Sequence, residues 1–128
     1  MGYSLKTTKK AQEILNDLKQ STNLTPNIIS RYAIALSLKN PSPIEKFNYE
    51  ANGQEFSRDI LTGKYDIVFK SVIMQHTGKD LTDDEYYPTY IKAHLERGLR
   101  KLQLEKDYAK SGKRFLENLV DYKHGGEF

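Results

Sequence analysis

The sequence has no cysteine. That excludes disulfides, thiolate nucleophiles, iron–sulfur clusters and cysteine-ligated zinc, and it suits a reducing compartment. No apolar run approaches the roughly 20 residues that a membrane helix needs, and nothing near the start resembles a secretory leader. The expectation is therefore a soluble, cytoplasmic protein. The three histidines, His76, His94 and His124, lie far apart, and none stands in the H-E-x-x-H pattern that puts two imidazoles on one helical face. No metal or other cofactor is expected. Glycine-rich phosphate loops are also missing. Ser30, Ser37 and Ser111 sit in ordinary helical or loop contexts rather than at a strained strand-to-helix elbow, so no serine nucleophile is expected.

What is present is lean in apolar residues, at 38%, but rich in large side chains that bury well, with nine tyrosines and five phenylalanines. A chain of 128 residues fits one domain, here residues 1–122 with 123–128 as a tail, and association would help to complete its core. The net charge is only +3. Its distribution is more informative: residues 1–46 carry seven Lys/Arg against three Asp/Glu, residues 47–91 four against eight, and residues 92–128 nine against six. Two basic ends flank an acidic middle. That segregation fits an anion-binding surface and equally fits solvated helix faces.

Tyr3 to Lys6 reads as a short strand, with Thr7 and Thr8 as caps for a helix reaching Ser21. Ala11, Ile14, Leu15 and Leu18 form its apolar stripe. Thr25-Pro26 is a cap followed by a proline at the first helical position. The helix it opens is apolar around most of its circumference, so it needs partners on several sides. Asn40-Pro41-Ser42-Pro43 ends it. Phe47 to Phe56, about Asn52-Gly53, suggests a small hairpin. A third helix is expected over about Tyr65 to His76, with Phe69, Val72 and Ile73 inward and Gly78 as terminator. Thr82-Asp83-Asp84-Glu85 reads as a capping box, which also accounts for that acidic run without a cation. Pro88 either starts a new helix or kinks an existing one. Ile91, Leu95, Leu99 and Leu102 then recur at helical spacing, and a last helix is expected over about Gly112 to Tyr122. The structural reading also leads for the histidines: His76 at a helix end, His94 partly buried or at the surface of its helix, His124 in the tail.

Lys9 and Lys10 occupy a helical first turn, where the dipole favours acids and each lysine costs a few tenths of a kcal/mol, up to ~1. A bound anion would reverse the sign of that cost. The order strand, helix, turn, Thr-Pro-capped helix resembles the ribbon-helix-helix, or Met-repressor-like, architecture, in which two chains pair their first strands. The resemblance implies that Ser4 and Lys6 face a DNA groove and that the start of the second helix, at Thr25 and Asn27, faces a phosphate.

Four stretches resemble one family in order: Leu24-Thr25-Pro26-Asn27-Ile28-Ile29-Ser30-Arg31 followed by Ala33 to Leu38; Gly53-Gln54-Glu55-Phe56-Ser57-Arg58; Leu61-Thr62-Gly63-Lys64-Tyr65-Asp66; and His94-Leu95-Glu96-Arg97-Gly98. The family is DndE, of bacterial DNA phosphorothioation systems. The resemblance implies a non-enzymatic accessory subunit that binds duplex DNA, preferring nicked DNA, and forms homo-oligomers, tetramers above all. Partner proteins carry out the sulfur chemistry. It also implies DNA contacts by Lys6, Lys9, Lys10, Lys19 and Arg31, with Arg97 and Arg100 as secondary candidates for the same role. Residues 103–128 extend past the last matching stretch. The competing reading is a protein–protein adaptor that scaffolds the modification enzymes without touching DNA. A nicking enzyme would need clustered acidic or histidine residues that the sequence does not assemble.

Overall fold

Residues 2–44, 50–109 and 114–117 are described in a computed structural model. The chain begins with strand β1, Ser4–Lys6, whose residues alternate outward, inward and outward. Its partner is β2, Glu55–Ser57, of the same chain, antiparallel with Leu5 opposite Phe56 and Lys6 opposite Glu55. Leu5 and Phe56 are both buried, so this ribbon closes one edge of the core. Backbone bonds extend the pairing at both ends, from Arg58 N–H to Tyr3 O at 2.9 Å and from Thr7 N–H to Gln54 O at 2.8 Å. The strand–helix–helix order is thus present with an intramolecular ribbon, not the two-chain ribbon expected. The expected hairpin differs too: β2 pairs with β1 rather than folding back through Asn52-Gly53, and Phe47 and Tyr49 lie outside the described residues.

Thr8 caps α1, Lys9–Thr22, by accepting the Ala11 N–H, and Asn23 ends it in the left-handed conformation, φ 61°. Ala11, Ile14, Leu15 and Leu18 are its buried stripe. Thr25 caps α2, Pro26–Lys39, with the proline at its start. α2 finds its several packing partners within the chain, against α1, a later helix over Lys92–Ala109 and the helices that directly follow it. Ser57 caps the short α3, Arg58–Leu61. A single 3₁₀ turn, Gly63–Tyr65, leads into α4, Asp66–Thr77, which stops at Gly78 with φ 77°. On α4 Ile73 is buried, whereas Val72, expected inward, is 39% exposed.

The capping box at Thr82 is fully formed: Glu85 N–H donates to Thr82 Oγ1 at 3.2 Å and Thr82 N–H to Glu85 Oε1 at 3.0 Å. α5, Asp83–Glu85, then runs through a π-helical segment, Tyr86–Ile91, into α6, Lys92–Ala109. Pro88 neither stops the helix nor starts a new one. A proline cannot donate and its ring crowds the carbonyl four residues back, and the wider π turn relieves both problems. The same widening turns Tyr86, Tyr87, Tyr90 and Ile91 into the core.

α6 is the central helix, crossing α2 and flanking α1. Among the described residues no helix is long and apolar enough to cross a membrane. Of the last expected helix, 114–117 is helical with Phe115 buried; its remainder, and 123–128, lie outside the described residues.

Candidate nucleic-acid interface

The first turn of α1 contains no acidic residue, yet its dipole is not left without an anion. Glu96, one turn into α6 and only 1% exposed, accepts Thr8 N–H at 2.9 Å through Oε2 and Thr8 Oγ1–H at 2.9 Å through Oε1. Arg100 donates to the same Oε1 at 2.7 Å. The backbone N–H of Lys9 is taken by Asn52 Oδ1 at 3.0 Å. Gly53 makes this closure possible, because a Cβ there would fall 2.2 Å from Thr8 O. The anion that the first turn calls for therefore comes from the chain itself, and the helix mouth is filled by protein groups. Nearby Lys92 donates to Glu50 O at 2.9 Å. Burial pulls its ammonium below the usual lysine range, partly offset by Glu96.

The lysine side chains around this closed end point elsewhere. Lys6, Lys9, Lys10 and Lys19 are all exposed, and none has a carboxylate within ion-pair distance among the described residues. At about 100° per residue, Lys9 lies near the middle of the outer face of α1, while Lys10 and Lys19 flank it about 180° apart. Lys6, Lys9 and Lys10 gather at the start of the helix; Lys19 is in its last turn. On the outer face of the ribbon Lys6 stands opposite Glu55, whose Oε2 accepts Ser4 Oγ–H at 3.0 Å.

The other expected contacts have internal partners. Thr25 Oγ1 accepts Ile28 N–H at 3.4 Å, and Asn27 is half-buried in the same first turn. Arg31 reaches the end of α3, donating to Leu61 O at 2.7 Å and Ile60 O at 2.9 Å. Arg97 does the same for α2, donating to Ser37 O at 2.8 Å, Ser37 Oγ at 2.8 Å and Ser42 O at 3.0 Å. Guanidinium groups placed on terminal carbonyls satisfy orphan acceptors and complement the negative helix end. Sequence reasoning missed that Arg97 and Arg100 share a groove with Lys39 and Lys101, since those four come from two helices far apart in the chain.

Ser37 Oγ and His94 Nδ1 lie 2.9 Å apart. Ser37 Oγ also accepts Arg97 Nε–H at 2.8 Å, so the one hydroxyl bridges the guanidinium and the imidazole. Both residues are buried, correcting the expectation that His94 is only partly so. This arrangement joins α2 to α6 and offers no open face to a substrate. Burial, with His76 and Arg97 nearby, pushes the His94 pKa down to about 3. Among the described residues no group of three His, Asp or Glu could hold a metal ion.

The comparisons with known proteins agree with this architecture. No curated protein sequence matches. The crystal structure of DndE from Escherichia coli B7A, a protein involved in DNA phosphorothioation modification, superposes with a TM-score of 0.61 at 20% identity, covering 75% of this chain and 93% of that one. At that identity the likeness is one of fold. The family model for DNA sulphur modification protein DndE matches residues 4–110, which takes in the ribbon, the caps and all of α6, and the chain belongs to the DndE family.

Proposed function

We propose that this protein is a non-catalytic, cytoplasmic DNA-binding subunit of a bacterial phosphorothioation system, working as a homo-oligomer beside the proteins that carry out the sulfur chemistry. The observation that carries this reading is the set Lys6, Lys9, Lys10 and Lys19, exposed and without carboxylate partners among the described residues. A cationic side chain held open in this way gains most from a polyanion, since each phosphate it neutralises releases condensed counterions. Contacts of that kind set position on the duplex and carry little sequence information. No cofactor is required. The family resemblance adds a preference for nicked duplex and a tetrameric state.

The outer face of α4 supports self-association. Ile67 is 77% exposed, Val68 56% and Val72 39%, with Ile60 of α3 also exposed. A helix that is apolar on its outer as well as its inner side is usually covered, and a second copy of the chain is the occupant proposed here. Light scattering on Ile67→Lys, which places a charge in that face, should give a lower mass than the parent protein.

Binding to intact and singly nicked duplex is followed by fluorescence anisotropy over a salt series. If about four phosphates are neutralised per subunit, the log–log slope should be near −4 and steeper for an oligomer. Replacing Lys6, Lys9 and Lys10 together by glutamine should flatten it by about 3. A flat salt response of the parent protein, or no binding at low salt, overturns the proposal. Capture of partner proteins by a parent protein that binds no DNA at low salt would favour the adaptor reading instead.

A further inference from the structure

Tyr65 carries an aromatic ring that the fold displays rather than packs. It closes the 3₁₀ turn Gly63–Tyr65, its N–H donating to Thr62 O at 2.8 Å. The turn is pinned on both sides: Leu61 and Thr62 before it are fully buried, and Asp66 after it is held by Arg58 and Tyr86. The tip itself stands out. Tyr65 is 45% exposed and its hydroxyl has no hydrogen-bond partner among the described residues. A Cβ on Gly63 would meet only open space, so the surroundings leave room for a ligand.

Two cations lie over this ring, and they differ. Arg31 Cζ is 5.7 Å from the ring centroid, and its guanidinium is fixed by the carbonyls of Leu61 and Ile60. Lys64 Nζ is 5.3 Å from the same centroid. The Lys64 side chain is exposed and pairs with no carboxylate among the described residues. Arg31 therefore steadies the ring, while the contact with Lys64 is weak in water and exchangeable. A lysine that moves from the ring to a phosphate uncovers π surface beside the charge it has just neutralised. One nucleotide fills both places, its base on the ring and its phosphate on the ammonium. Stacking of this kind tolerates any sequence, because every base has a π face. Tyr108 is also strongly exposed, but no cation lies over its ring among the described residues.

Inside an intact duplex each base is covered on both sides and offers no face. Resting on the DNA reading above, we infer that Tyr65 is a stacking site for an unpaired or strand-terminal nucleobase, with Lys64 on the adjoining phosphate. Phosphate contacts alone do not supply this discrimination. A nick barely alters the charge of the duplex, so the α1 lysines meet nearly the same polyanion with and without it.

The test compares the parent protein with Tyr65→Leu, Tyr65→Phe and Lys64→Gln by anisotropy on three probes: an intact duplex, the same duplex singly nicked, and one of its strands alone. Thermal unfolding and light-scattering mass accompany each variant. Tyr65→Leu should lower the nicked-to-intact affinity ratio about tenfold with the salt slope on nicked DNA unchanged. Tyr65→Phe keeps the ring without the hydroxyl and should match the parent. Lys64→Gln should reduce the magnitude of the slope on nicked duplex by about 0.9. An equal loss for Tyr65→Leu on the single strand identifies the ligand as any unpaired base; a loss confined to the nicked duplex identifies it as the base at a break. A parent protein that binds steeply with salt while Tyr65→Leu keeps its ratio and its single-strand affinity overturns the stacking site and leaves the α1 lysines standing. An equal loss on intact duplex, with or without a fall in mass, also overturns it. Absence of salt-dependent binding in the parent overturns both readings.

Discussion

Gly98 of α6 rests against the backbone of Ala33 in α2, so closely that a Cβ on Gly98 would fall 1.8 Å from the Ala33 carbonyl oxygen. A mid-helix glycine costs about 1 kcal/mol relative to alanine, and here that cost permits the approach of the two principal helices. The obstacle is backbone, not the end of a flexible side chain, so it cannot swing away.

Gly98→Ala should therefore destabilise despite its better helix propensity. Overpacking of this kind costs about 1–3 kcal/mol and more when backbone must move, which exceeds the propensity gain. Urea unfolding should show a lower midpoint; a midpoint equal to or above that of the parent protein would mean that α2 and α6 are not packed this closely.

Glu96 supports a second prediction. Truncation to alanine leaves Thr8 N–H without its partner, strips α1 of its anion and leaves Arg100 unpaired, a combination expected to cost about 3 kcal/mol. Glu96→Gln keeps an acceptor for Thr8 but loses the charge, so it should fall between the parent and the alanine variant. The order of the three urea midpoints checks it, and an alanine variant as stable as the parent would remove the proposed anchor.

Much of this architecture was legible because its signals are local. Thr8, Thr25 and Thr82 cap residues three positions ahead, Gly78 ends its own helix, and the stripe from Ala11 to Leu18 has the helical period. The features that sequence reading missed join distant residues. β1 pairs with a strand about fifty residues away, and the anion at the start of α1 comes from α6. Nothing in either neighbourhood announces its partner. The motif stretches turn out to carry architecture: Arg31 and Arg97 on helix-end carbonyls, Gly53 beneath Thr8, Gly98 on Ala33. The exposed lysines have no such signal, because a solvated lysine and a phosphate-binding lysine occupy the same pattern.

Asp66 gathers the acidic middle of the chain into one network. Its carboxylate accepts Arg58 Nε–H at 3.1 Å and Nη2–H at 2.7 Å, Thr62 Oγ1–H at 2.7 Å and Tyr86 O–H at 2.8 Å. Burial raises its pKa, but the donors from Arg58, Thr62 and Tyr86 outweigh burial and hold it below the ordinary carboxylate value. Asp66→Ala should cost about 3 kcal/mol, since it leaves a largely buried guanidinium and a buried phenol without their main acceptor. Chemical unfolding monitored by tyrosine fluorescence reads this directly; a loss below about 1 kcal/mol would show the network to be dispensable.

The buried histidine sets the final prediction, through the pH dependence of stability. In the unfolded chain His94 binds a proton below about 6.5, whereas in the fold burial lowers that value to about 3. Between those values the unfolded state holds more protons, so stability rises with pH there, and it falls as the solution is acidified. The slope contributed by this one group approaches 1.4 kcal/mol per pH unit within the window and vanishes above about pH 7. Asp66 adds a loss of the same sign below the ordinary carboxylate range, because its folded pKa is also depressed. Urea midpoints measured at intervals from pH 7.5 to 4.5 should decline across the upper window, before carboxylates titrate. His94→Gln keeps a hydrogen-bonding side chain that does not titrate. It should start lower, from imperfect packing, yet show a flat profile between pH 7 and 5. A parent profile equally flat there would mean that His94 accepts a proton in place, and that its burial beside Arg97 does not hold it neutral.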